Sequence, residues 1–384
     1  MRGVPFLSEG DMKNFVYADN AATTKLDNDA FEAMKKYLIN EYGNPSQLYS
    51  FSRMSKKALK DSREIIANCI NAQPEEIYFT SGGTESDNWA IKGTAFFDLS
   101  KRGTVTSTIE HHAILNACKA VECLGYPVTY LSPNKYGIIA PERLKKIITC
   151  RTRLVSVMLA NNEIGTIEPI KELALISHQY GAVFHTDAVQ AVGHIKIDVQ
   201  ELGIDMLSAS AHKFNGPKGT GFLYIKNGTD ISPYCNGGLQ EFGMRAGTEN
   251  VAAVVGMAIA LKKNCEDIDF NKEKLLYLEE LLLNKLRGID YIRNGYKEHI
   301  PGNISLSFKG VDGETILHRL NLKGIYISTG SACDSVNTQI SHVIKEIKIP
   351  KEYAHGTIRI SLGKNNTESD VVKISEALHD IINR

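Results

Sequence analysis

Ser208-Ala-Ser210-Ala-His212-Lys213-Phe-Asn-Gly216-Pro-Lys-Gly219 sets a lysine between a histidine and a glycine-rich turn. Upstream, Val183-Phe-His185-Thr-Asp187 is strand-like and ends on a carboxylate. Lys213 follows Asp187 by 26 residues, room for one crossover between parallel strands. Outward from this stretch, helix-period segments at 27–40, 53–71, 113–124, 141–148 and 170–180 alternate with strand-like runs at 76–79, 104–107, 128–131, 154–159 and 221–225. The alternation predicts an α/β layer fold with a large, mostly parallel sheet.

Ligands of such sheets collect beyond the C-terminal ends of the strands. Thr84, His111, Asn162, Asp187 and Lys213 all fall at or just past a predicted strand end. A lysine and an aspartate delivered this way suit pyridoxal phosphate. The lysine binds the cofactor aldehyde as a Schiff base, and the carboxylate keeps the ring nitrogen protonated. Thr80-Ser81-Gly82-Gly83-Thr84, between a strand and a helix, offers free N–H groups and a helix dipole to an anion. The same turn reads equally as an ordinary cap, with Thr84 and Asp87 forming a capping box.

Composition narrows the choices. Lys+Arg and Asp+Glu both total 44, a formal net charge of zero, so no polyelectrolyte partner such as nucleic acid is implied. No apolar run is long enough to span a bilayer. Residues 1–11 lack the apolar core of a signal peptide and read as an unstructured leader, with Met12 a candidate start. The cysteines number 7 and none form C-x-x-C, which favours free thiols in a reducing cytoplasm. Cys333 aside, they sit in apolar or helical contexts that suggest packing. No resident metal site is expected.

Past Gly237-Gly238 and Arg245-Ala-Gly247-Thr248 come two long helices, at 251–263 and 274–286. Strands at 303–308, 325–328 and 357–362, with helices at 313–320 and 368–382, predict a smaller α+β domain. The expected division is a leader contributing to the small domain (1–16), a large cofactor-binding domain (17–255) and a C-terminal domain (256–384). Cys333 lies among small and polar residues, Thr329-Gly-Ser-Ala-Cys333-Asp-Ser335. Few apolar anchors run through 329–341, which predicts a mobile loop with a reactive thiol.

Nine segments taken together resemble the NifS/IscS group of cysteine desulfurases, within the pyridoxal-phosphate enzymes of the aspartate-aminotransferase fold (fold type I). They are Asp19-Asn-Ala-Ala-Thr-Thr, Phe79-Thr-Ser-Gly-Gly-Thr-Glu-Ser-Asp-Asn, Glu110-His111, Asn161-Asn-Glu-Ile-Gly, His185-Thr-Asp-Ala-Val-Gln190, Ser210-Ala-His-Lys, Arg245-Ala-Gly-Thr-Glu-Asn, Gly330-Ser-Ala-Cys333 and Arg359-Ile-Ser-Leu-Gly363. Two places depart from the family pattern. Asn44-Pro45-Ser46 runs on to Tyr49 and Ser52, where a histidine and a glycine are usual. Asp334 stands where threonine is common, and its charge raises the Cys333 pKa slightly.

The resemblance implies a role for each residue. Lys213 binds the cofactor and later moves protons at the substrate Cα, and Asp187 pairs with the ring nitrogen. His111 stacks on the ring and serves in acid–base steps, unless it is only a loop cap; His112 is expected to be structural. Asn162 and Gln190 hold the phenolic oxygen. Gly83, Thr84, Ser210 and His212 hold the phosphate, joined by Thr248 of a second copy, which makes the enzyme a homodimer. Arg359 takes the substrate carboxylate as a fork, with Asn20 and Asn162 nearby. Cys333 receives the sulfur of L-cysteine as a persulfide, leaves L-alanine, and passes the sulfur to an acceptor protein for iron–sulfur assembly or thiolation. Cys333 is also placed to ligate a cluster in transfer. The rival readings are a selenocysteine lyase, another pyridoxal-phosphate lyase or aminotransferase, and a non-catalytic scaffold that binds a sulfur acceptor.

Overall fold

A computed structural model describes residues 15–97, 100, 102–329 and 340–382. In chain order the strands are β1 (Val16–Tyr17), β2 (Ile77–Thr80), β3 (Gly103–Ser107), β4 (Val128–Leu131), β5 (Thr152–Ser156), β6 (Val183–Asp187), β7 (Met206–Ser210), β8 (Gly221–Ile225), β9 (Tyr291–Arg293), β10 (Asn303–Phe308), β11 (Ile325–Tyr326) and β12 (Thr357–Ser361). The helices are α1 (Asn28–Ile39), α2 (Arg53–Ile70), α3 (Gly83–Phe97), α4 (His112–Cys123), α5 (Pro141–Ile147), α6 (Ile170–Gln179), α7 (Val251–Glu266), α8 (Ile268–Lys285), α9 (Gly313–Leu322), α10 (His342–Glu346), α11 (Lys351–Ala354) and α12 (Glu368–Ile382).

The large sheet runs β2-β8-β7-β6-β5-β3-β4. Among these, β8 alone is antiparallel to both of its neighbours. Its apolar run, Gly221-Phe-Leu-Tyr-Ile225, is buried throughout, as a strand covered on both faces must be in either direction. Phe79, Phe184, Leu207 and Phe222 meet in one core, each worth about 1.5–3 kcal/mol of burial. Helix α3 covers the sheet with Trp89, which is fully buried and donates Nε1–H to the Ser232 carbonyl at 2.9 Å. Trp89→Ala would cost about 3–5 kcal/mol.

Local chemistry sets the helix ends. Asp27 caps α1 by accepting from Asp29 N at 2.9 Å, and Asn71 stops α2 in the left-handed region at φ 56°, as an asparagine readily does. The helical period of 27–40 puts Phe31, Met34, Tyr37 and Leu38 on one apolar face, but that face is not the buried one. Phe31 and Leu38 are exposed, and Ala30 is the buried position of the helix.

The second layer is the antiparallel sheet β12-β10-β9, with β1 paired in parallel to β11 alongside it. Its core holds Val16, Leu275, Leu306, Phe308, Ile358 and Leu378. The expected boundary at residue 256 falls inside α7. Met257, Ala258, Ala260 and Leu261 of that helix pack into the first core, whereas Leu275 and Leu278 of α8 pack into the second. The two cores therefore part at Asp267, between the helices.

Candidate active site

The ends of β2, β3, β5, β6 and β7 open on one cavity of about 380 Å³. Gly83, Thr84, His111, Asn162, Asp187, Gln190, Ser210, His212, Lys213 and Arg359 all line it, although they come from distant stretches of chain. Asn20 lines a smaller neighbouring cavity of about 50 Å³ between the two layers, and its Nδ2 donates to the Ser361 carbonyl at 2.9 Å. Thr248 is exposed and lines neither cavity. Cys333 and its loop lie outside the described residues.

Lys213 follows β7 on a single 3-10 turn. Its Nζ donates to the carbonyls of Ala21 and Ala22 at 2.6 and 2.9 Å. Asp187 ends β6, where its Oδ1 accepts from Val189 N at 2.9 Å. Burial pushes the Asp187 pKa up, against the opposing pull of His111, the Val189 N–H and Lys213. A carboxylate in this position is stabilised by a cation placed above it.

His111 is both a helix cap and a cavity residue. Its Nδ1 accepts from Ala113 N at 3.1 Å, so in the neutral ring the proton sits on Nε2. Burial, then the charges of Lys213 and His112, hold its pKa below the ordinary value. Beside it Glu110 is buried, accepting from Ser107 Oγ at 2.6 Å and Met158 N at 3.0 Å. Burial pushes Glu110 up to about 8, so it is protonated at neutral pH.

The glycine turn before α3 is tightly built. A Cβ on Gly83 would stand 2.5 Å from Val189 Cγ2, and Gly82 takes φ +145°. The expected Thr84–Asp87 capping box does not form. Glu85 reaches back instead, accepting from Ser81 N at 3.1 Å and Ser81 Oγ at 2.5 Å. Asp87 lines the same cavity as Asp187 and is buried, with Oδ1 lacking a hydrogen-bond partner among the described residues. Burial and the Asp187 charge hold its pKa well above the carboxylate range, opposed by a hydrogen bond from Ser208. His185 links Ser156 Oγ and Ser208 Oγ at 2.9 and 3.0 Å, and burial lowers its pKa to about 3.

Arg359, on β12, reaches in from the second layer. Nη1 donates to the Asn162 carbonyl at 2.9 Å and Nη2 to Asp19 Oδ1 at 2.8 Å. Its Nε is buried with no partner among the described residues.

Sequence reasoning missed Asp87, Met158, Glu163, Val189 and His342 as cavity residues, and took His112 as structural although it lines the cavity. His342 Nε2 donates to the Glu110 carbonyl at 3.1 Å, and its ring meets His112 edge-on at 5.0 Å between centroids. The signal available for His342 was its place at the start of a short apolar helix, Ser341-His-Val-Ile-Lys345, after a polar loop.

A sequence profile of the family described as aminotransferase class-V matches residues 16–374. The chain belongs to the aminotransferase class-V family. This class-V chain is 48% identical over 378 residues to a cysteine desulfurase IscS of Dictyoglomus turgidum, covering 97% of this chain and 96% of that one. A solved NifS-like protein superposes with a TM-score of 0.91 at 35% identity, covering 96% of this chain and 100% of the other. A structure of SspA in complex with cysteine superposes at 0.82 and 34% identity, over 92% of this chain and 100% of that one. Cysteine desulfurases and class-V aminotransferases use pyridoxal phosphate, and the residues of this class-V chain fit it. The cavity offers an amine (Lys213), a buried carboxylate suited to a cationic ring nitrogen (Asp187), and the N-terminus of the 15-residue helix α3 for a phosphate.

Proposed function

We propose that this chain is a cysteine desulfurase that takes sulfur from L-cysteine, leaves L-alanine, and hands the sulfur to an acceptor protein. The observation that carries the reading is Lys213 and Asp187 lining one cavity that ends on the α3 N-terminus. The relatives named above support it, one a desulfurase and one complexed with cysteine.

Asp187 would hold the ring nitrogen, Asn162 and Gln190 the phenolic oxygen, and Gly83, Thr84, Ser210 and His212 the phosphate. Burial, then the charges of Lys213 and Lys218, lower the His212 pKa to about 4, so it offers a neutral ring. When bound, pyridoxal phosphate supplies an electron sink for bond breaking at the substrate Cα and Cβ. Arg359, which lines the cavity, would receive the substrate carboxylate on its guanidinium and so orient Cα toward Lys213, with Asn20 and Asn162 alongside. Lys213 Nζ removes the proton from Cα. His111, with Nδ1 committed to Ala113, presents Nε2 to the cavity and moves the proton at the substrate thiol. The Cys333 thiolate attacks that sulfur: the Cβ–S bond breaks, an S–S bond forms, and Cβ gains a proton. L-cysteine and a thiol thus become L-alanine and a persulfide, with atoms and electrons balanced.

The assembly we propose is a homodimer, with Thr248 of the partner subunit completing the phosphate site. Thr248 is exposed, and the chain also exposes a run of apolar side chains at Leu38, Ile39, Tyr42, Leu48 and Tyr49, a pattern that marks interaction surfaces. The acceptor proteins serve iron–sulfur assembly or thiolation. Among the described residues no helix is long and apolar enough to cross a membrane, and the described cysteines are free thiols, which supports a cytoplasmic setting.

The test is holoenzyme incubated with L-cysteine, scored for alanine and protein-bound sulfane sulfur. Cys333→Ser is expected to abolish both while the cofactor absorbance persists. Alanine formed at the unaltered rate would defeat the persulfide route, and a protein that takes up no pyridoxal phosphate would defeat the whole reading.

A further inference from the structure

Outside the main cavity, two carboxylates bracket the glycine turn that opens α3. Strand β2 is an edge of the large sheet, and side chains meet its outer groups where another strand would lie. Arg63 of α2 donates Nη1 to the Ile77 carbonyl, and Glu241 accepts from Phe79 N at 2.8 Å. The two side chains also grip each other, Nη1 donating to Oε2 at 2.9 Å and Nη2 to Oε1 at 2.8 Å, with the Glu241 side chain only 2% exposed. The ion pair thus satisfies the sheet edge as an added strand would.

Delivering that carboxylate strains the backbone. Glu241 and Phe242 are consecutive left-handed residues, at φ 46° and 58°, a conformation that a Cβ resists. Strain of this kind persists only where the surroundings hold it, and it clusters at functional sites. Here the Arg63 guanidinium holds it, its Cζ 5.3 Å from the Phe242 ring centroid and 4.3 Å from that of Phe79.

Four residues on, Arg245 forks Glu85, Nε donating to Oε1 at 2.8 Å and Nη2 to Oε2 at 3.3 Å. Burial works against the Glu85 charge, yet the Arg245 and Ser81 hydrogen bonds bring its pKa below the ordinary value. The same carboxylate holds Ser81 N and Oγ. Segment 241–245 is therefore tied to the chain just before the turn, at Phe79, and just after it, at Glu85. Neither Glu241 nor Arg245 lines a cavity described above, and Thr248 stands three residues beyond Arg245.

Resting on the reading that this turn holds the phosphate and that Thr248 of the partner subunit completes the site, we propose that Glu241 and Arg245 are positioning residues for the cofactor phosphate, bracing the loop that carries Thr248 against the glycine turn of its own subunit. One brace then serves two sites: the turn beside it and, through Thr248, the turn of the other subunit. An arginine fork suits this task because it sets direction as well as distance.

The experiment strips full-length protein of cofactor and refills it with pyridoxal phosphate or with pyridoxal, which lacks the phosphate, following the absorbance of the bound ring. Arg245→Lys keeps the charge and loses the fork, at a side chain 24% exposed, so the exchange spares the core. Glu241→Gln keeps an acceptor for Phe79 N and loses the ion pair. Each is expected to weaken pyridoxal phosphate binding about tenfold and to leave pyridoxal binding as in the wild type, with calorimetry showing a folded protein. Parallel weakening of both ligands would mean a general loosening and overturns the proposal, as does a folded Arg245→Lys that keeps the wild-type preference for the phosphate. Thr248→Ala separates the two levels: loss of the preference in that variant alone leaves the phosphate site standing and removes the brace. A wild-type protein that binds both ligands equally removes the phosphate site itself, and the brace with it.

Discussion

Arg359 and Asp19 form an ion pair between the two layers, Nη2 donating to Oδ1 at 2.8 Å with the guanidinium only 3% exposed. The pair fixes the plane of the guanidinium beside the cavity that Arg359 lines, and on the proposed function this side chain takes the substrate carboxylate. Lysine can supply neither the planar fork nor the second contact. Arg359→Lys is expected to raise KM for L-cysteine by about 10- to 100-fold, the loss of a charge-assisted hydrogen bond at about 1.5–3 kcal/mol. Steady-state kinetics with cofactor absorbance as a control would check it, and an unchanged KM would remove Arg359 from substrate binding.

Gly83 is held to a hydrogen atom by Val189, 2.5 Å from where a Cβ would stand. Gly83→Ala is expected to push Val189 toward the cavity and to weaken cofactor binding by roughly tenfold, about 1.4 kcal/mol. The double variant with Val189→Ala frees that space and should recover most of the affinity in a fluorescence titration. Failure to recover would mean that the turn, and not the side-chain clash, sets the requirement.

Asp187→Asn keeps the Val189 contact in shape and removes the charge. Turnover is expected to fall at least about hundredfold, near 2.7 kcal/mol, together with a change in the pH dependence of the cofactor absorbance. Normal turnover with normal spectra would contradict the pairing of this carboxylate with the ring.

Glu110 gives a pH prediction whose sign follows from its burial. Its pKa rises from 4.5 to about 8 on folding, so the folded protein keeps a proton that the unfolded chain releases above 4.5. The contribution is complete below about pH 4.5 and fades as pH climbs to 8. His185, lowered from 6.5 to about 3, acts in the opposite sense: its contribution is complete above 6.5 and lost as pH falls to 3. Between pH 6.5 and 8 Glu110 is therefore the one of these two that changes. Glu110→Gln is expected to flatten the decline of Tm over that interval in calorimetry, and an unaltered slope would refute it.

Much of the fold was legible because its periods are local. The limits of β10 and α12 match the strand and helix read from 303–308 and 368–382, and the cavity residues could be found by asking which polar groups end each strand. Features made by distant pairings were not legible. Strand β9 has three residues and exists because Arg293 meets Leu306 across the sheet. The direction of β8 cannot be read from a run buried on both faces. Asp87 looked like a cap because its neighbour Thr84 is a capping type, yet its side chain faces the sheet, where Ser208 and not Thr84 is within reach. Helix α8 begins at Ile268, before the residue 274 expected, and its first buried positions, Ile268 and Leu275, are separated by mostly charged and polar residues that hide the helical stripe.

The pairing of Val16 with Ile325 also orders events during synthesis. The opening strand leaves the ribosome 309 residues ahead of its partner (325 − 16), roughly 15–60 s at ordinary elongation rates. Over that interval the seven-stranded sheet can form with Lys213 in place while Val16 and Tyr17 have nothing to pair with. The last part of the molecule to close is thus the seam that brings in Arg359, so on the proposed function a nascent chain would hold the residues for the cofactor before the one for the amino acid.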